Sequence, residues 1–238
     1  MKKTAVFVLV LSLLFVVVYS VYFFRSLPVI TGIKEGISVR VYKGGEYLGR
    51  RQVNPSHDSF IRSDALPKHA AGAIIVSEDG RFWSHKGIDP HEIAQAAVRD
   101  LKSGAKKHGA STMTQQLVKN LYFSGEKTFG RKIREAVTAM RVERVLSKRE
   151  ILDYYMNTAQ FGDGVYGIAE ASNHYFGKNP AALTAEESAL LAFFLPRPVL
   201  RGGMYSSGKV NAYQAECAAA ILSRMKKQGY VEEELRGR

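Results

Sequence analysis

The sequence predicts a mainly α-helical domain with one small β element, preceded by a single N-terminal transmembrane helix. Three observations carry this expectation. Residues 5–24 read AVFVLVLSLLFVVVYSVYFF, with no charge, proline or glycine. Ile37, Val39 and Val41 alternate with Ser38, Arg40 and Tyr42, the two-residue period of a half-buried strand. From about residue 65 onward, capping signatures stand ahead of one apolar run after another, which is how successive helices read.

The apolar run comes first in the chain. As a helix it reaches about 30 Å, the thickness of a bilayer's hydrocarbon core. A cleaved signal peptide would carry a shorter apolar region closing on small residues. This one closes on Val-Tyr-Phe-Phe before Arg25, so an uncleaved anchor over residues 1–25 is expected. Lys2 and Lys3 precede it and Arg25 alone follows closely, which keeps the N-terminus inside and exports the rest. Residues 26–60 read as a juxtamembrane connection, with the strand pattern turned back at Gly44-Gly45.

Helical signals then follow in order through a main domain spanning residues 61–205, with 206–238 as its helical extension. Asp89-Pro90-His91-Glu92 supplies an N-cap, a proline at the first helical position and an acidic first turn. Thr112-Met-Thr-Gln115, Ser147-Lys-Arg-Glu150 and Thr184-Ala-Glu-Glu187 have the form of capping boxes. Ile133, Ala136, Val137, Met140 and Val145 keep helical spacing. Pro196 and Pro198 end the last strongly apolar helix, and the glycine-rich stretch 161–167 reads as a loop.

Charge narrows the partners. The net charge is +12, from 34 basic and 22 acidic residues. A basic exported domain beside a bilayer suits anionic headgroups or phosphate-bearing substrates. The exported topology argues against nucleic acid. The single cysteine, Cys217, excludes an internal disulfide framework and a thiolate metal cluster. Its apolar surroundings make it a small core residue rather than a nucleophile. The histidines show no metal-ligand spacing.

Three clusters could carry chemistry. Glu78-Asp79-Gly-Arg-Phe82-Trp-Ser-His85-Lys-Gly87 follows the apolar run Ala73–Val76, so a carboxylate there is partly desolvated and able to act as a base. Acidic residues at helix ends are also ordinary caps. The segment Gly109–Asn120 gathers Ser111, Gln115, Lys119 and Asn120 near a helix start, where hydroxyl and backbone donors suit a phosphate or sugar oxygen. Gln115 and Lys119, four apart, share a face. The third cluster, Arg131-Lys132-Ile-Arg134-Glu135 with Lys127 upstream, is either a surface ion-pair patch or a cradle for a polyanion. Two carboxylates, Glu78 and Glu135, with a basic cradle are the equipment for chemistry at a sugar carbon bearing a phosphate leaving group.

In this order the clusters resemble the family 51 glycosyltransferases, the peptidoglycan glycosyltransferases or transglycosylases of bacterial cell walls. The matching patterns are EDxxFxxHxG at 78–87, GxSTxxQQxxKN at 109–120, RKxxE at 131–135 and KxEILxxYxN at 148–157. Met156 replaces the more usual leucine of the last pattern, and Lys127 stands where arginine is common, keeping charge but losing bidentate phosphate binding. The S-x-N and K-T-G elements of a transpeptidase domain do not accompany the S-x-x-K matches at 103–106 and 223–226. The resemblance is therefore to the monofunctional biosynthetic peptidoglycan transglycosylases of Gram-negative bacteria.

That resemblance implies a lysozyme-like, two-lobed helical fold whose smaller lobe dips into the membrane, at Leu121-Tyr122-Phe123 unless those aromatics face the core. It implies polymerisation of lipid II into β-1,4 glycan with inversion and release of undecaprenyl pyrophosphate. Glu78 would be the general base, and Lys119, Lys127 and Arg131, with Lys132 and Arg134 behind them, would offset pyrophosphate charge. Ser111 and Gln115 would bind sugar or phosphate oxygens, and Glu135 would orient the cations or support the transition state. Asp79, Phe82, His85 and Asn120 would support the site, with His85 as base the rival idea. No cofactor is required, although a divalent cation (Mg or Mn) bridging the pyrophosphate fits some members. The expected partners are lipid II, the growing lipid-linked glycan, the membrane and other cell-wall synthesis or division proteins, at the bacterial inner membrane with the catalytic domain periplasmic. A lytic enzyme of lysozyme type and a non-catalytic anchored scaffold are the competing readings.

Overall fold

The structure, a computed structural model, describes residues 2–104, 109–123, 125, 128–205 and 208–232. The chain divides into two compact units, Met1–Thr31 and Gly32–Arg238. The first is built on helix α1 (Lys2–Arg25), whose apolar side chains are exposed all round. Its stretch Lys3–Arg25 is long and apolar enough to cross a membrane. The hydroxyls of Ser12 and Ser20 donate to the carbonyls of Val8 and Val16 at 2.8 and 2.7 Å, so neither is left unpaired in an apolar surrounding.

The second unit opens with an antiparallel hairpin, β1 (Ile37–Lys43) and β2 (Glu46–Val53), which pairs Ile37 with Val53 and Lys43 with Glu46. Helices α2 (Lys68–Glu78), α3 (Pro90–Ser103), α4 (Met113–Tyr122), α5 (Phe129–Val145) and α6 (Lys148–Thr158) follow. A second short hairpin, β3 (Gln160–Gly162) and β4 (Val165–Tyr166), leads to α7 (Ile168–Phe176), α8 (Ala185–Phe194), α9 (Pro198–Gly203) and α10 (Ala212–Lys227). The result is mainly helical with two small sheets.

Helix α2 is the centre of this unit. Every residue from Ala70 to Val76 is buried, and the helix packs against α8 and α10. A helix apolar on all sides belongs inside a core rather than on its surface. Gly72 makes the fit possible, since a Cβ there would lie 2.3 Å from the Tyr230 ring. Arg224 of α10 donates from Nη1 to the Val76 carbonyl at 2.9 Å, satisfying one of the acceptors that a helix end leaves open. The end of α2 is thereby fixed, and Glu78 is its last residue.

The capping boxes at Thr112/Gln115, Ser147/Glu150 and Thr184/Glu187 are all formed, and Asp89 caps α3 by accepting from the N–H groups of His91 and Glu92. A fourth box, Asn211 with Gln214, starts α10. Two expectations, a plain loop at 161–167 and a core Cys217, need correction, while the helix through 133–145 forms and the open alternative at 121–123 falls toward the core. The glycine-rich stretch 161–167 contains the β3–β4 hairpin rather than a plain loop, because Gly164 at φ +76° supplies a turn conformation that other residues resist. Helix α5 buries Glu135, Thr138, Ala139 and Val142, while Ile133 and Val145 are exposed. Cys217 is only partly buried. Leu121 is in the core and Tyr122 and Phe123 are half-buried. Helix α3 exposes apolar Ile93, Val98 and Leu101, Leu101 at 85%, and Phe129, Val199 and Leu200 are exposed as well.

Candidate active site

Glu78 closes α2 and lines a cavity of about 740 Å³ with Ser111, Gln116, Lys119, Asn120 and Tyr155. Burial pushes its proton affinity up, while the Gln116 hydrogen bond and the Arg201 and Arg224 charges oppose that rise and Asp79 adds to it. Gln116 Nε2 donates to Glu78 Oε2 at 2.9 Å. Oε1 is sealed from solvent and has no hydrogen-bond partner among the described residues. A carboxylate so placed is poorly solvated and binds a proton more readily than one in water.

Asp79 and His85 hold this segment in shape. Asp79 accepts from His85 Nε2 at 2.9 Å and from the Met113 N–H at 2.9 Å, tying the end of α2 to the start of α4. His85 Nδ1 accepts the Gly87 N–H at 3.3 Å, so Nε2 carries the hydrogen given to Asp79. Both ring nitrogens are engaged with groups other than Glu78. Beneath them, Lys148 donates to Glu143 at 2.7 Å and sits 4.5 Å from the centroid of the fully buried Phe82 ring. Gly87 presses against α5: a Cβ there would be 2.8 Å from the backbone of Ala139 and Met140. Thr112 Oγ1 donates to the Gly87 carbonyl at 2.7 Å, so the first two motifs pack as one body.

A second cavity, of about 370 Å³, shares Lys119, Asn120 and Gln160 with the first and adds Arg40, Arg131, Phe123 and Tyr166. Among the described residues three cations therefore line its wall. Glu135 stands behind Arg131, 1% exposed. Its Oε1 lies 3.0 Å from Arg131 Nε, off the line of a hydrogen bond, and its Oε2 lies 3.3 Å from Lys132 Nζ. Lys132 in turn donates to Ser111 Oγ at 2.7 Å. Glu78 lines the first cavity together with Ser111, and Glu135 reaches that Ser111 through Lys132 while holding Arg131 of the second. Arg134 is partly buried on α5, and Lys127 lies outside the described residues.

Gln115, expected to bind a sugar or phosphate oxygen, is buried with its side-chain oxygen accepting the Thr112 N–H in the capping box; its neighbour Gln116 lines the cavity and donates to Glu78. Sequence reasoning also missed Gln116, Tyr155, Arg40 and Arg201 as site residues. The Thr112/Gln115 capping box was the available clue for the first of these, because an N3 side chain turned back to its cap does not serve a cleft. Arg40 gave none, since its strand pattern says only that it opposes buried Val39.

A carboxylate at the end of a buried helix thus lines one cavity beside a second with a cationic wall, an arrangement suited to acid–base chemistry next to an anionic group in a mainly helical protein. A transglycosylase family model matches residues 45–226, and the chain belongs to that family. It is 45% identical over 137 residues to a biosynthetic peptidoglycan transglycosylase of Alcanivorax borkumensis, covering 58% of this chain and 56% of that one. Penicillin-binding protein 1A of Aquifex aeolicus is 37% identical over 172 residues, and penicillin-binding protein 1F of Bacillus subtilis is 40% identical over 171. Each alignment covers 72% of this chain but only 23% of the relative.

Proposed function

We propose that the protein is a peptidoglycan glycosyltransferase that polymerises lipid II into β-1,4 glycan and releases undecaprenyl pyrophosphate. The observation that carries the reading is Glu78, a carboxylate of raised proton affinity on the wall of a cavity that shares Lys119 with a pocket bearing Arg40 and Arg131. Glu78 takes the proton from the 4-hydroxyl of the acceptor sugar. That oxygen bonds to C1 of the lipid-linked chain while the C1–O bond to phosphate breaks, with inversion. Arg40, Lys119 and Arg131 offset the charge that develops on the leaving pyrophosphate, and Lys127 joins them by resemblance. Glu135 keeps Arg131 and Lys132 directed, and Lys132 orients Ser111 toward a sugar or phosphate oxygen.

No cofactor enters this scheme. A Mg or Mn ion would take its ligands from the pyrophosphate, since among the described residues the charged groups lining the second pocket are cations. Helix α1 anchors the protein in the inner membrane with its N-terminus inside and the catalytic domain periplasmic. The exposed apolar residues of α3 meet the lipid surface from which the substrate is drawn. Other wall-synthesis or division proteins are its natural neighbours. Purified full-length protein in detergent should convert fluorescent lipid II to polymer, and Glu78→Gln should abolish this while leaving the unfolding transition cooperative. Polymer from the Glu78→Gln protein at the parental rate would refute the assignment of the base. Release of fragments from sacculi, with no polymer from lipid II, would favour a lytic enzyme.

A further inference from the structure

Three helices each send one side chain into a short relay that the reaction scheme leaves unused. Tyr155 of α6 donates from its hydroxyl to Gln116 Oε1 at 3.0 Å, and Gln116 of α4 donates from Nε2 to Glu78 Oε2 of α2 at 2.9 Å. A carboxamide has a donor end and an acceptor end of almost equal size, and nothing in its shape decides which one faces a neighbour. We propose that Tyr155 is a positioning residue for this reaction: its hydroxyl holds the Gln116 carbonyl, so that the amide presents N–H to the Glu78 carboxylate. The inference rests on Glu78 being the base.

The surroundings make the hold durable. Tyr155 is buried, and its hydroxyl stays protonated because burial, with Glu78 and Asp79 nearby, pushes its pKa well above the usual 10. It therefore remains a donor wherever the enzyme works. Gln116 follows directly on the closed capping box that starts α4, which fixes the end of α4 that carries this relay. Hydrogen bonds aligned head to tail and ending on a negative charge polarise one another and favour the ionised acid.

Among the described residues, the other groups acting on Glu78 are accounted for. Asp79 belongs to its own segment, Arg201 comes from α9 and Arg224 from α10. Lys119 of α4 lines the same cavity, and the end of α8 contributes apolar Leu195 and Pro196. Neither arginine depends on how the Gln116 amide is turned. Removing the Tyr155 hydroxyl strands the Gln116 carbonyl and frees the amide to rotate. An amide oxygen set beside Glu78 favours the protonated acid, which is the wrong state for a base.

The test is the pH profile of lipid II turnover for the full-length protein in detergent, with Tyr155→Phe, Gln116→Met and the double variant. Each single variant should move the acid limb of kcat/KM to higher pH. Each should also lower the rate on that limb roughly tenfold, the size expected for losing one hydrogen bond to a charged group. The double variant should fall no further than Gln116→Met, because both act through one amide. KM well above the limb should stay near parental.

An acid limb that stays at the parental pH in Tyr155→Phe, or losses that simply multiply in the double variant, would overturn the proposal and leave Tyr155 a packing residue. Thermal unfolding run in parallel identifies a packing defect, which would lower the rate without moving the limb and so counts against the proposal. If Glu78→Gln still polymerises, the base assignment itself has failed. An inactive Glu78→Gln beside unmoved limbs refutes only the positioning role.

Discussion

Replacing Glu78 by Gln should change stability in a way that depends on pH, and the sign follows from the site. In the folded protein the proton affinity of Glu78 is raised, chiefly by burial, whereas in the unfolded chain it returns to the ordinary value of 4.5. Between those two points the folded state binds more protons than the unfolded one. Parental stability therefore falls as pH rises from the ordinary carboxylate value through the raised folded value, and then levels off. A glutamine has no such component. The stability difference, variant minus parental, should grow with pH across that window and then become constant. Its slope cannot exceed about 1.4 kcal/mol per pH unit for one group. The Gln116 bond and the two arginines soften the cost of the anion, so the pH-dependent part of the gain is expected to be only about 1 kcal/mol at neutral pH, typical of relieving an active-site strain. For a chain of this size that is roughly 2–4 °C in Tm. A glutamine amide at the buried, unpartnered Oε1 position adds a penalty, but one that does not vary with pH. Denaturation in mild detergent can be followed through Trp83, the sole tryptophan, whose indole donates to Tyr230 Oη at 2.9 Å. A difference that stays flat between about pH 4 and pH 8 would mean that Glu78 is not desolvated, and the argument for it as a base would lose its footing.

Arg40→Ala should lower kcat/KM for lipid II severalfold, through kcat as well as KM, and weaken its salt dependence, because the guanidinium lines the cationic pocket assigned to the leaving pyrophosphate; steady-state kinetics at two ionic strengths check this. Gly87→Ala should cost at least about 2 kcal/mol, since φ is +93° and the new methyl would meet α5 backbone at 2.8 Å, and a parental Tm would show that the first motif does not pack on α5 as described. Leu101→Glu should lower turnover on lipid II in liposomes and leave turnover in detergent near parental, because the residue is an exposed apolar one of α3; equal losses in both media would count against lipid contact there.

What could be read from the sequence was what local chemistry decides. The capping boxes at 112, 147 and 184 needed only a hydroxyl and a glutamate or glutamine three residues on, and each is formed. The β1–β2 hairpin followed from alternation and a glycine pair. Where two local rules competed, the sequence did not say which would win. Gln115 sat both at the N3 position of a cap and on a face with Lys119, and backbone satisfaction claimed it. Helix α5 misled for the opposite reason: its period was sound, but Ile133 and Val145 face outward while Glu135 and Thr138 turn inward. Only tertiary contact with the Gly87 segment and the cationic wall accounts for a helix that buries its glutamate.

The same division runs through the site. Residues named by the motifs, Glu78, Lys119 and Arg131, do line the two joined cavities. The groups that set the state of Glu78 arrive from elsewhere: Gln116 from α4, Tyr155 from α6, Arg201 from α9 and Arg224 from α10. Each is unremarkable in its own helix, a polar or basic residue with a bland local explanation. Their convergence depends on α2 being buried along its length, so that its last residue meets the ends of several helices at once. A carboxylate on an exposed helix end would have water for company and an ordinary proton affinity. Placing it at the end of the central helix makes its proton affinity a property of the tertiary fold, which is why a change at Tyr155, 77 positions away in sequence, is expected to register in the titration of the base.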